Sequence, residues 1–204
     1  MKSPLLPWEV IERIIGYSSN DLNTLRSFSL TCRQLRPRSF GLMVSRVRLR
    51  SRQDVFKFCD HLQAKPSLGA LVRAIVVDPV DFPPFPLLRI LPNLSQITFI
   101  SRVDRYAPVP RGIPRSSLTS YLCSGSRIST LHLSQTYRWT SQEFCRLLLA
   151  FKDVRELTCG EVQVVSTKSN ALHTELLKQR LSQRLHLRSL IVGRMYDYEY
   201  WSSY

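Results

Sequence analysis

The sequence has little glycine, 7 in 204 residues, and no collagen-like period, so a triple helix is excluded. Its five cysteines, Cys32, Cys59, Cys123, Cys145 and Cys159, contain no C-x-x-C pair and stand at least fourteen residues apart. Neither a disulfide framework nor a zinc knuckle fits that spacing, and no metal or cofactor is expected. A reducing compartment, cytosol or nucleus, suits it best. Apolar runs are short: Arg, Asp or Pro interrupts each one before the roughly 18 residues that a spanning helix needs. The opening stretch lacks the apolar core of a secretory signal, and neither a leader nor a membrane partner is expected.

Enzyme signatures are missing too. No P-loop, nucleophile elbow, H-E-x-x-H or dinucleotide fingerprint occurs in the sequence. The four histidines, His61, His132, His173 and His186, are scattered, and Cys59-Asp60-His61 is too local to hold a nucleophile and its base in a rigid cleft. No catalytic residue is expected, and the chain is read as a non-enzyme.

What is present is apolar content and positive charge. Hydrophobic residues make up 44% of the chain, enough for a folded core, and 29 Lys and Arg outnumber 15 Asp and Glu, for a net charge of +14. Seven arginines, Arg33, Arg36, Arg38, Arg46, Arg48, Arg50 and Arg52, fall in twenty residues that hold no acid. Guanidinium forks bind phosphate and carboxylate bidentately, so a basic nucleic-acid-binding protein using the Arg33–Arg52 cluster is the alternative function. A solvated face is the stronger expectation for such a block, and nucleic acid is not the expected partner.

The first forty residues read as helices. Val10, Ile11, Ile14 and Ile15 form an apolar stripe, with Pro7 suited to a first turn and Glu9 and Glu12 near the positive end of the dipole. Gly16 and Ser18-Ser19-Asn20-Asp21 break the stripe, and Asn20 or Asp21 can cap a second helix carrying Leu22, Leu25, Phe28, Leu30, Cys32 and Leu35. Pro37 ends that helix or starts the next.

Beyond residue 43 a different phrase recurs, apolar at positions one, four and six. It reads Val44-x-x-Val47-x-Leu49, Val72-x-x-Ile75-x-Val77, Leu94-x-x-Ile97-x-Phe99, Ile128-x-x-Leu131-x-Leu133, Val154-x-x-Leu157-x-Cys159 and Leu187-x-x-Leu190-x-Val192, at spacings of 28, 22, 34, 26 and 33 residues. At this composition about one window in twelve matches by chance, so the weight lies in the phrasing: four of the six follow breaks such as Leu91-Pro92-Asn93 or Phe151-Lys152-Asp153. Helix-like runs, Gln53–Leu62, Ser141–Phe151 and Ala171–Leu185, lie between them. The alternation predicts a mixed α/β chain with an irregular leucine-rich-repeat-like strand and helix array, each unit adding one strand to a parallel sheet. Two proline-rich stretches, Asp78–Pro86 and Ala107–Pro114, read as connectors.

The N-terminal block, Leu6-Pro7-Trp8-Glu9-Val10-Ile11-Glu12-Arg13-Ile14-Ile15 followed by Leu25-Arg26-Ser27-Phe28-Ser29-Leu30-Thr31-Cys32-Arg33-Gln34-Leu35-Arg36-Pro37-Arg38, resembles the F-box motif, especially its fungal style. Leu35 stands where that family usually has Trp. The resemblance implies a three-helix domain over residues 1–45 that binds the Skp-type adaptor of a cullin-RING ligase core, and a leucine-rich-repeat-like domain over 46–204 that recruits an unknown protein substrate. A block this short buries too little surface to stand alone, and its leftover apolar side chains call for a cover. The expected adaptor-binding residues are Leu6, Pro7, Ile11, Ile14, Ile15, Leu25, Leu30, Cys32 and Leu35, at helix-in-groove spacing. The expected substrate-binding residues lie at alternate strand positions: Arg46, Arg48, Gln96, Thr98, Thr130, His132, Glu156 and Thr158, with Ser189 and Ile191 beyond them. The aromatic tail Met195–Tyr204 is a further candidate anchor.

Overall fold

A computed structural model describes residues 6–77, 85–100, 127–134, 138–151, 153–160, 163–165 and 171–193. The stretch Ala107–Pro114, Cys123 and the tail Met195–Tyr204 lie outside them. The chain divides into two units, Met1–Val47 and Arg48–Tyr204.

The first unit holds three helices, α1 (Trp8–Tyr17), α2 (Leu22–Thr31) and α3 (Arg36–Ser45), with α3 packed on both others. Pro7 caps α1 from outside: its carbonyl accepts the Val10 N–H at 3.0 Å, and proline gives up no donor a helix start would use. Gly16 was expected to break the stripe, but α1 runs through it to Tyr17 before a 3-10 turn at Ser18–Asn20. A single glycine costs a helix about 1 kcal/mol, too little to end one whose Ile15 is fully buried. Asp21 caps α2, its carboxylate accepting the N–H groups of Asn23 and Thr24 at 3.0 and 3.1 Å. The second apolar run was expected to stay helical to Leu35; α2 instead ends at Thr31, where Cys32 turns extended. Pro37 falls in the first turn of α3.

Strands β1 (Arg46–Leu49), which runs across the boundary between the units, and, in the second unit, β2 (Ala74–Val77), β3 (Gln96–Ile100), β4 (Thr130–Ser134), β6 (Glu156–Cys159) and β8 (Ser189–Val192) form one six-stranded sheet in that order. The pairings from β2 to β8 are all parallel. The fold is therefore mixed α/β with a parallel sheet whose order follows the chain. Helices α4 (Arg52–Ala64), α5 (Phe85–Ile90), α6 (Ser141–Ala150) and α7 (Ala171–Arg184) lie between strands in sequence. A two-stranded parallel pair, β5 (Arg138–Thr140) with β7 (Gln163–Val165), stands apart from the main sheet. Phe85 and Pro86, read from sequence as connector, belong to α5, because proline is tolerated in a first helical turn.

The repeating apolar phrase sets the register. Its fourth position forms one row across the sheet, Ile75, Ile97, Leu131, Leu157 and Leu190, and its sixth forms another, Val77, Phe99, Leu133, Cys159 and Val192. From β2 to β6 both rows are buried, with Val55 and Leu62 of α4, Leu87 and Leu88 of α5 and Leu147 and Leu148 of α6 also in the core. Phe99 meets Phe151 at 6.1 Å between ring centroids. The residue ahead of each strand repeats a single device. The Arg73 carbonyl accepts from the N–H groups of both Ser95 and Gln96, the Ser95 carbonyl from Ser129 and Thr130, the Ser129 carbonyl from Arg155 and Glu156, and the Arg155 carbonyl from Arg188 and Ser189, all at 2.7–3.1 Å. Gly69 is buried within the largely exposed turn Pro66–Leu71, and an added Cβ would press on the Ile90 carbonyl oxygen at 3.2 Å.

Candidate interaction surfaces

In the helical unit the amphipathic stripes split between core and surface. Of the nine residues expected to bind an adaptor, Ile15 and Leu25 are fully buried, Ile11 and Leu35 are half-buried, and Leu6, Pro7, Ile14, Leu30 and Cys32 are exposed. Sequence spacing marks which residues share a helical stripe; it does not say which edge of the stripe faces the neighbouring helix. Trp8, Val10, Tyr17, Leu22 and Phe40 are exposed as well and were not among the expected adaptor-binding residues; Trp8 and Val10 sit inside the quoted motif, which was the signal for them. Leu30 is 78% exposed, an expensive place for leucine on a surface meant only for water. Arg33, Arg36 and Arg38 are exposed at the start of α3, where positive charge adds unfavourably to the positive end of the helix dipole. Arg46 donates to the Asn20 side chain at 3.4 Å.

In the strand unit the fold brings six of the eight expected substrate-binding residues into two adjacent rows. Gln96, Thr130 and Glu156 share one row with Ser189; Thr98, His132 and Thr158 share the next with Ile191. Thr130 donates its hydroxyl to Glu156 Oε2 at 3.2 Å. Gln96, Thr98, Thr130 and His132 are half-buried and Glu156 is exposed, whereas Thr158 is buried. Arg46 and Arg48 do not join the rows directly. They lie on β1, and between β1 and β3 stands β2, whose Ala74 and Val76 are also buried. A strand covered on both faces reads as an unbroken apolar run, which is what Ala74-Ile75-Val76-Val77 is.

The described thiols are held protonated at neutral pH where a shift is seen. Burial, aided by Asp60, raises the Cys59 thiol, and burial pushes Cys159 up to about 11. Cys32, Cys59, Cys145 and Cys159 form no disulfide. His61 Nδ1 lies 2.6 Å from the Lys57 carbonyl, which can only accept, so this nitrogen carries the proton. Among the described residues no three His, Cys, Asp or Glu side chains converge as metal ligands, and no helix is long and apolar enough to cross a membrane. No protein-family model, curated protein or solved structure matches the chain.

Proposed function

We infer that the chain is a non-catalytic substrate-recognition subunit of a cullin-RING ubiquitin ligase, working in the cytosol or nucleus. Its helical unit docks onto a Skp-type adaptor, and its strand unit, a leucine-rich-repeat-like array, takes the target protein. The observation that carries this reading is the surplus of apolar surface on the helical unit. Leu6, Trp8, Val10, Ile14, Leu22 and Leu30 are exposed there, while among the described residues of the unit only Ile15 and Leu25 reach full hydrophobic burial. Several of those exposed side chains fall on the residues that resemble the F-box motif. The repeat reading is supported by the sequential strand order and by the recurrence of one register across the sheet.

Co-expression with a Skp-type adaptor tests the proposal. A complex that survives gel filtration at micromolar concentration is expected, and Pro7→Ala with Ile11→Glu should abolish it. No complex with the intact chain at that concentration overturns it. The exposed Arg33, Arg36, Arg38 and Arg46 favour a second reading, nucleic-acid binding. That reading requires duplex affinity that falls with salt at a log–log slope of about −0.9 per phosphate neutralised. Undetectable or salt-independent binding removes it.

A further inference from the structure

The six-stranded sheet stops at β8, and among the described residues nothing pairs with the outer edge of that strand. Its backbone is already in phase for another strand. Arg73, Ser95, Ser129 and Arg155 each offer a carbonyl that receives two N–H groups from the next strand, and Arg188 occupies the following place in that series. Because Ser189 and Gly193 turn their N–H groups inward to the Arg155 and Cys159 carbonyls, parallel-ladder alternation turns those of Leu190 and Val192 outward. The side chains are equally open: Leu190, Ile191 and Val192 are 56%, 54% and 72% exposed, whereas their row neighbours Leu157, Thr158 and Cys159 are buried.

The charge around this edge selects the occupant. Arg155 and Arg188 stand ahead of the last two strands, and the neighbouring acid, Glu156, accepts the hydroxyl of Thr130 from β4, on the side of β6 away from β8. Arg188 follows Arg155 in the ladder, its N–H 2.7 Å from the Arg155 carbonyl, and both side chains are exposed. Two guanidinium groups on neighbouring strands repel, and an anion lying across them relieves that repulsion. A second copy of this chain would set the same positive edge against itself, so self-pairing is disfavoured.

We propose that the outer edge of β8 captures an extended acidic segment of a partner protein as an added strand. Carboxylates lie toward Arg155 and Arg188, and alternate apolar side chains lie beside Leu190 and Val192. The main chain supplies affinity through the open ladder, and the arginines supply the preference for acid. The surface belongs to the strand unit and stands whether or not the helical unit binds an adaptor.

Fluorescence anisotropy with the full-length chain tests this, using a labelled nine-residue peptide that opens on three Glu and continues Thr-Val-Thr-Val-Thr-Val, so that Glu and Val share the face of Arg188, Leu190 and Val192. Controls are the same peptide with Lys for Glu and the Glu peptide N-methylated at alternate amides. The Glu peptide is expected to bind about tenfold or more tightly than either control, because one loses charge complementarity and the other its ladder donors. Val192→Pro removes an outward N–H while sparing the bonds to β6, and should weaken binding about tenfold, as should Arg155→Ala with Arg188→Ala. The methylated peptide makes the ladder test without altering the protein, so misfolding of a variant leaves the result decisive. Equal affinity for the three peptides, or no binding of the Glu peptide at millimolar concentration, overturns the proposal. A tenfold gain on reversing Asp197 and Glu199 to Lys assigns the edge to this chain's own C-terminal residues and overturns a partner as occupant.

Discussion

The helical unit and the strand unit solve the burial of apolar side chains in opposite ways. In the strand unit, residues of one phrase stack row upon row, and each buried side chain has a neighbour of the same row on the next strand. Ile97, Phe99, Leu131, Leu133 and Phe151 are almost completely removed from water. In the helical unit α2 packs closely on α3 but three ten-residue helices enclose little volume, so Ile15 and Leu25 are sealed while Ile14 and Leu30 face outward. The difference is one of geometry. A repeating parallel sheet can share a core along its whole length, whereas three short helices enclose only a small volume. Exposed leucine therefore has different meanings in the two places: at β8 it marks the end of a stack, and in α2 it marks a surface built with more apolar area than its own unit can cover.

The comparison breaks most sharply in the core. Phe99→Ala should cost about 3–5 kcal/mol, measured as a fall in the urea midpoint, because the cavity it leaves lies against Phe151 and buried neighbours. A loss below 1 kcal/mol would mean that the stacked rows are not close-packed. Ser39 tests the other unit. It is fully buried in α3 and its hydroxyl has no hydrogen-bond partner, so Ser39→Ala should raise stability by about 1 kcal/mol. A destabilised variant would show that the hydroxyl is satisfied after all.

Asp21 sharpens the comparison through pH. Hydrogen bonds from the Thr24 side chain and backbone, with a further one from Asn23, hold its carboxyl below the usual 3.8. The folded value is depressed, so the cap's contribution is fully present above about pH 3.8 and is lost as pH falls through the lower folded value. Asp21→Ala should lower the midpoint of the helical signal at pH 7, and the gap from wild type should close as the pH is taken below 3.8. A gap that is constant with pH would show that the carboxylate is not what caps α2. The smallest stability effect is expected at Leu30: Leu30→Ala should shift the urea midpoint by no more than about 0.5 kcal/mol while weakening adaptor capture. Equal losses of both would make Leu30 part of the fold rather than of a docking surface.

Much of the sheet was legible in the sequence. All six apolar phrases fall on the six strands of the main sheet, because a buried row needs apolar residues two apart and a buried lead-in residue three before them. Of the six lead-in residues, Val72, Leu94, Ile128 and Val154 are buried, while Val44 and Leu187, of the first and last phrases, are half-buried. The helices after β1, β4 and β6 were visible for the usual reason of length. The pair β5 and β7 was not legible, since three residues such as Arg138-Trp139-Thr140 are too short for any period to register. The end of α2 was missed because Cys32 and Leu35 continue the apolar spacing past the point where the backbone turns extended. Among candidate site residues, the alternation rule put Gln96, Thr98, Thr130, His132 and Glu156 on one face. It also puts Thr158 in the row of Thr98 and His132, where it is buried; that burial depends on what lies across the sheet and leaves no mark on the strand's own pattern.

The doubled amide joint is the same at each of the four steps from β2 to β8, which makes those joints interchangeable. A recombination that copies or excises one whole strand with its connector leaves every surviving joint intact. A slip of a single residue instead exchanges the greasy and the wet side of everything downstream. The gene can change its length cheaply only in complete courses, as a wall is raised or lowered by whole rows of brick.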